Sequence, residues 1–135
     1  MKIAEAVKQA RILRDTEIPD EMLVSWLSAH DGTVWEEVIR HYERHPDNKP
    51  VYDGETDPEA TELLIPAPWD ELYPHYLAMR IDLAHQDIDR YNNEAMFYEQ
   101  QRRAWANHYN KTHRWNGTGQ RRELRPKYYD TQILF

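Results

Sequence analysis

The side chains of this chain that could hold a metal or move a proton are seven histidines and 24 aspartates and glutamates. His41 and His45 stand four apart, so on a helix both rings would share one face, the spacing of a two-histidine metal site. The glutamate that completes such a site beside the first histidine is missing, because Arg40 and Tyr42 flank His41. Pro46 also puts His45 at a helix end, where a cationic ring suits the dipole without any metal. His75, His85, His108 and His113 repeat no ligand spacing. The densest acids are Glu36-Glu37, Asp53-Glu55-Asp57 and Asp82-Asp87-Asp89. Acid–base catalysis needs two carboxyls whose surroundings push their pKa values apart, and no acid pair here sits in an apolar run. The stretch DGETD (53–57) loosely resembles a calcium loop but lacks its glycine and terminal glutamate positions. There is no phosphate loop, no G-x-S-x-G and no dinucleotide fingerprint, and four glycines leave little to build one. With no cysteine, thiolate nucleophiles, disulfides and cysteine-held metals are excluded. The expectation is a protein without catalytic residues, metal or cofactor, whose acids are solvated surface.

The end of the chain has a different chemistry. Arg102, Arg103, Trp105, Tyr109 and Lys111 are followed by Arg114, Trp115, Arg121, Arg122, Arg125, Lys127, Tyr128 and Tyr129, then by Ile133-Leu134-Phe135. Arginine mixed with aromatics is the composition of a nucleic-acid groove and of a protein-interface hot spot. Residues 1–99 carry 22 acids and 9 bases, whereas 100–135 carry 2 acids and 8 bases, so the net charge of −7 averages two opposite parts. Such asymmetry points to an interaction surface rather than to a fold. The tail is expected either to order on a partner or to stay unstructured.

The elements that must position these residues are mostly helical. Ile3, Ala6, Val7, Ala10 and Leu13 lie at helical spacing over 2–14. Pro19 suits the start of a second helix carrying Met22, Leu23, Trp26 and Leu27, with Asp31-Gly32 as its stop. Thr33 and Glu36 then form a capping box for a third helix through Val34, Trp35, Val38, Ile39 and Tyr42. Five of the eight prolines fall between 45 and 68, which excludes helix over most of that stretch, and it is expected to project from the body. Within it Glu62-Leu63-Leu64-Ile65 could be extended. Beyond it, positions 77, 81, 84, 88, 91, 95, 98, 102, 105 and 109 form a seam broken only by Arg102. That seam fits one helix of roughly 60 Å or a hairpin turning at His85-Gln86-Asp87 or at Asn92-Asn93. Gly117 and Gly119 end it. The fold class expected is all-α: a small helical bundle over 1–116 with long C-terminal helices, a projecting loop at about 45–68, and an extended basic tail over 117–135. Its core is expected to hold Trp26, Leu27, Trp35, Val38, Leu77, Ile81, Ile88, Tyr91, Tyr98 and Trp105. No apolar run approaches the ~20 residues of a membrane span, and MKIAEAVKQARILR lacks the apolar block of a signal peptide. A soluble, intracellular protein with no membrane partner is expected.

Four stretches in order, SWLSAHDGTVWEEVIRHY (25–42), ELLIPAPWDELYPHYLAMRIDLA (62–84), DRYNNEAMFYEQ (89–100) and WANHYNKTHR (105–114), resemble a family of small tailed-phage and prophage proteins, the head–tail connector or head-completion proteins. Many members carry Asn-Gly where this chain has His85-Gln86. The resemblance implies a mostly helical, non-enzymatic virion protein, made in the host cytoplasm and placed at the head–tail interface. It implies a closed ring of about twelve copies beneath the portal protein, which extends the DNA channel and docks the next connector, stopper or tail protein. Double-stranded DNA would pass without specific binding, since binding needs cations to neutralise phosphates. On this expectation Asp47, Asp53, Glu55, Asp57, Glu59 and Glu62 face the channel or its rim. Arg114, Trp115 and the basic tail would reach the portal or a neighbouring subunit. Two other classes compete: a nucleic-acid-binding accessory protein acting through the tail, and an acidic regulatory or DNA-mimic protein.

Overall fold

The computed structural model describes residues 1–42 and 47–113. They form a mostly helical protein with four α-helices: α1 (Ile3–Leu13), α2 (Asp20–Glu37), α3 (Leu72–Ala84) and α4 (Ile88–Thr112). Short 3₁₀ turns follow α2 at Ile39–His41 and precede α3 at Trp69–Glu71. α1 buries Ile3, Ala6, Val7 and Ala10 on the stripe expected of it, and that stripe packs chiefly against α3. Beyond its last turn Arg14 crosses to α3 and α4: Nε donates to Asp82 Oδ1 at 2.7 Å and a terminal nitrogen to Glu94 Oε1 at 3.1 Å. Glu94 also meets His75 Nδ1 at 2.6 Å, so one chain of charges ties three helices together.

Two expectations about the elements are corrected. First, Asp31-Gly32 is not a stop and Thr33 caps no third helix: α2 runs unbroken through all three to Glu37, the Thr33 hydroxyl donates back to Ala29 O, only a 3₁₀ turn follows, and Gly32 keeps negative φ. The reason is that Asp31 points into the core, where its carboxylate binds donors from other segments, and the helix must continue to hold it there. Second, the proline-rich stretch does not project. Tyr52, Leu63 and Ile65 are buried, and an antiparallel bridge pairs Glu62 with Lys2. The first N–H groups of a helix lack intrahelical partners, and here the stretch supplies them. Ile3 N–H donates to Thr61 O at 3.2 Å and Ala4 N–H to Pro58 O at 2.9 Å. Prolines thus bar helix formation in the segment while its free carbonyls cap α1.

Of the two seam alternatives, the hairpin at His85-Gln86-Asp87 is the one formed. Gln86 takes φ 61, a left-handed conformation disfavoured for a side chain with Cβ. Asp87 caps α4 by accepting from Arg90 N–H at 3.3 Å. α4 is roughly 37 Å long against about 20 Å for α3, so its second half passes beyond its partner. There Trp105 and Tyr109 are buried, with Tyr109 edge-on to Tyr42. Among the expected core residues, Leu27, Leu77, Ile81, Tyr98 and Trp105 are buried, while Trp26, Trp35, Val38 and Tyr91 are half-buried. Ile88 departs from the expectation at 54% exposed. It opens α4 at the turn, beyond the end of α3 at Ala84.

Candidate functional site

The most elaborate polar arrangement in the molecule is centred on Asp31, a carboxylate with no exposed surface. Its Oδ1 accepts from Tyr73 O–H at 2.7 Å and from His30 Nδ1–H at 3.0 Å. Oδ2 accepts from Tyr52 O–H at 2.5 Å and from Leu64 N–H at 2.9 Å. Tyr73 oxygen accepts in turn from Ile65 N–H at 2.8 Å. A buried carboxylate is tolerable only when its lone pairs are filled, and four donors fill them here. Burial raises the phenol pKa of both Tyr52 and Tyr73, and the charge of Asp31 raises it further. Both therefore stay protonated donors. Nδ1 of His30 is engaged by the carboxylate, which leaves Nε2 as the ring's other nitrogen. It is buried without a hydrogen-bond partner, among the rings of Tyr73, Tyr76 and Tyr98. The arrangement joins α2, α3 and the proline-rich stretch. Asp31 itself has no exposed surface, and its four bonds tie these segments together.

This hub was missed in the sequence because Asp-Gly signals a turn. The available signal was the helical spacing of Leu27, Asp31 and Val34, which places Asp31 on an apolar stripe.

The acids expected to line a channel, Asp47, Asp53, Glu55, Asp57, Glu59 and Glu62, are all exposed. They stand on a defined backbone. Asp53 Oδ1 accepts from Glu55 N–H at 2.9 Å, and Asp57 Oδ1 accepts from Glu59 N–H at 3.0 Å, two local turns that fix the chain. Tyr52 is buried, and the carbonyls of Pro58 and Thr61 accept from the first turn of α1, so this acidic edge is held to the body at those points. No group of three potential ligands among the described residues could hold a metal. His41 belongs to a 3₁₀ turn rather than a helix face, and its expected companion, His45, lies outside the described residues. No described helix is long and apolar enough to cross a membrane.

On the basic side, Arg102 donates to Glu37 at 3.0 Å and so joins α4 to the end of α2. Arg103 and Lys111 point outward. Arg114, Trp115, Arg121, Arg122, Arg125, Lys127, Tyr128, Tyr129, Ile133, Leu134 and Phe135, expected to form an interface, lie outside the described residues. The acids stand exposed along the proline-rich stretch, and the second half of α4 carries Arg102, Arg103 and Lys111. Comparison of the chain with protein-family models, with curated proteins and with solved structures finds no match.

Proposed function

We propose that this protein is a non-enzymatic structural component of a tailed-phage head–tail junction. It forms a ring beneath the portal that extends the DNA channel and docks the next tail-side component. The observation that carries this is the ordered set of motifs over 25–114. Two of them meet at a single point: Asp31 comes from the first, and Leu64 and Tyr73 come from the second. The two motifs thus share one packed unit.

The acidic edge suits the role physically. Five of its carboxylates, on Asp47, Asp53, Glu55, Asp57 and Glu59, have no salt-bridge partner among the described residues. Such a surface repels phosphate and lets DNA slide, because affinity for DNA comes from cations that displace its counterions. The portal protein encoded by the same genome is the partner to test. Co-elution of the two in size-exclusion chromatography, with no retention of duplex DNA by this protein alone at low salt, is expected. Absence of any complex with portal, or tight salt-sensitive DNA binding by the isolated protein, overturns the proposal. The second result would favour the accessory nucleic-acid reading.

A further inference from the structure

The outward faces of α2 and α4 match one another in length and are opposite in charge. On α2, Met22, Ala29, Thr33 and Glu36 fall within about 40° of one line at 100° per residue. Met22 is 46% exposed, and Ala29, Thr33 and Glu36 are exposed too. Ala29, Thr33 and Glu36 floor an open cleft of about 680 Å³ whose other wall is Lys49 to Tyr52. On α4, Met96, Gln100, Arg103, Asn107 and Lys111 fall within about 60° of one line by the same arithmetic. Met96 is 74% exposed, Gln100, Arg103 and Lys111 are exposed, and Asn107 is half-buried. Met22 to Glu36 spans ~21 Å and Met96 to Lys111 ~22 Å. Each face begins with a methionine and ends in charge, acidic on α2 and basic on α4.

We infer that these are the two halves of a contact between copies of this chain. The α4 face of one copy lies parallel on the α2 face of the next, with Met96 beside Met22, Asn107 beside Thr33, and Lys111 beside Glu36, while Glu37 keeps its pair with Arg102 of its own copy. The inference rests on the ring proposed above and names its interface. The small side chains of Ala29 and Thr33 let a helix approach closely and leave room for the stem of Arg103. The Thr33 hydroxyl donates to Ala29 O at 2.9 Å within its own helix, so its lone pairs can accept the amide N–H of Asn107 from the next copy. Lys111 and Arg103 have no ion-pair partner among the described residues. Among the described residues Glu36 holds two long ion pairs, 3.6 Å to Arg40 and 3.8 Å to Lys49, on half-exposed side chains. Those weak pairs leave it available to a cation from a neighbour. Arg40 and Lys49 move aside in the contact, and Glu99 meets neutral Ser25. Since the two faces differ, the contact is heterologous. It repeats from copy to copy and closes into a ring if its rotation closes.

The absence of cysteine makes the test direct. Full-length Thr33→Cys and Asn107→Cys variants are mixed at increasing concentration and treated with a short bismaleimide. Cross-linked dimers are expected from the mixture and not from either variant alone, with a ladder of higher species from the double variant. Lys111→Glu should weaken association about tenfold, and Glu36→Lys in the partner copy should restore it. Equal cross-linking within single variants, or no cross-link at any concentration up to that at which rings form on portal, overturns the inference. A ladder without portal binding would defeat the functional proposal alone, and portal binding without a ladder would defeat this interface alone.

Discussion

Replacing Asp31 by asparagine removes one oxygen of a carboxylate that four donors share. The remaining amide oxygen can serve one pair of donors, and the NH₂ must face the other pair. If it faces Tyr52 and Leu64, the phenol can turn to accept, but the Leu64 N–H cannot. If it faces Tyr73 and His30, the Tyr73 oxygen already accepts from Ile65 N–H, and its own proton is left without an acceptor. Either orientation loses a hydrogen bond to a charged group, ~1.5–3 kcal/mol, and orphans a buried donor, ~1–3 kcal/mol. Relief from burying a charge offsets part of this. The expected net loss is about 3 kcal/mol, or roughly 10–15 °C in the melting midpoint of a domain this size. Urea and thermal unfolding followed by far-ultraviolet circular dichroism read it directly. Asp53→Asn, on the exposed edge, serves as the control and should change stability by less than ~0.5 kcal/mol. An Asp31→Asn protein as stable as the parent would refute the assignment of this carboxylate as the tie between α2, α3 and the proline-rich stretch.

Gln86→Gly should raise stability by about 0.5 kcal/mol, because glycine adopts the left-handed conformation at φ 61 without the Cβ penalty; a lower urea midpoint would contradict this. Gly32→Ala should stabilise by up to ~1 kcal/mol through helix propensity. The new Cβ would come to 2.9 Å from Lys49 Cε, the flexible end of a half-exposed side chain that can swing away. A loss of stability would show Lys49 to be fixed. Alkaline pH tests the buried phenols. The folded protein raises the pKa of Tyr52, Tyr73, Tyr76 and Tyr98, in each case chiefly by burial. Between the unfolded value near 10 and the higher folded values, the native state binds more protons than the unfolded state. Stability should therefore be independent of these groups below pH ~10 and fall above it. Phenolate absorbance should lag in the native protein and appear in step with unfolding, whereas early titration of all the tyrosines would show the hub to be open. Trp105→Ala should cost about 3–5 kcal/mol, since the indole is 1% exposed where α4 passes beyond α3.

The helical class was legible because apolar periodicity records burial directly: the α1 stripe and the α4 seam through Tyr98, Trp105 and Tyr109 follow from it, whereas the same seam left one long helix and two hairpin turns equally open. Local signals misled where tertiary contacts outweighed them. Asp31-Gly32 has turn propensity of a fraction of a kcal/mol to about one, less than four hydrogen bonds to a buried carboxylate supply. The prolines of 45–68 correctly excluded helix, but the backbone capping that folds the segment onto α1 leaves no trace in residue type. Ile88 shows the limit of a seam: periodicity assigns a face, and only the length of the partner helix decides whether that face is covered. Within the candidate site, the exposure of the acids followed from their charge. Their attachment to a fixed edge depended on Tyr52 and Ile65, whose roles appear only when the chain is folded.

The central claim is a ring on the portal. Electron microscopy of the protein mixed with the portal protein of the same genome tests it most directly. Class averages should show an added ring of density, coaxial with the portal and on its tail-side face, enclosing a channel wide enough for duplex DNA. Portal particles unchanged by a large excess of this protein would contradict the account.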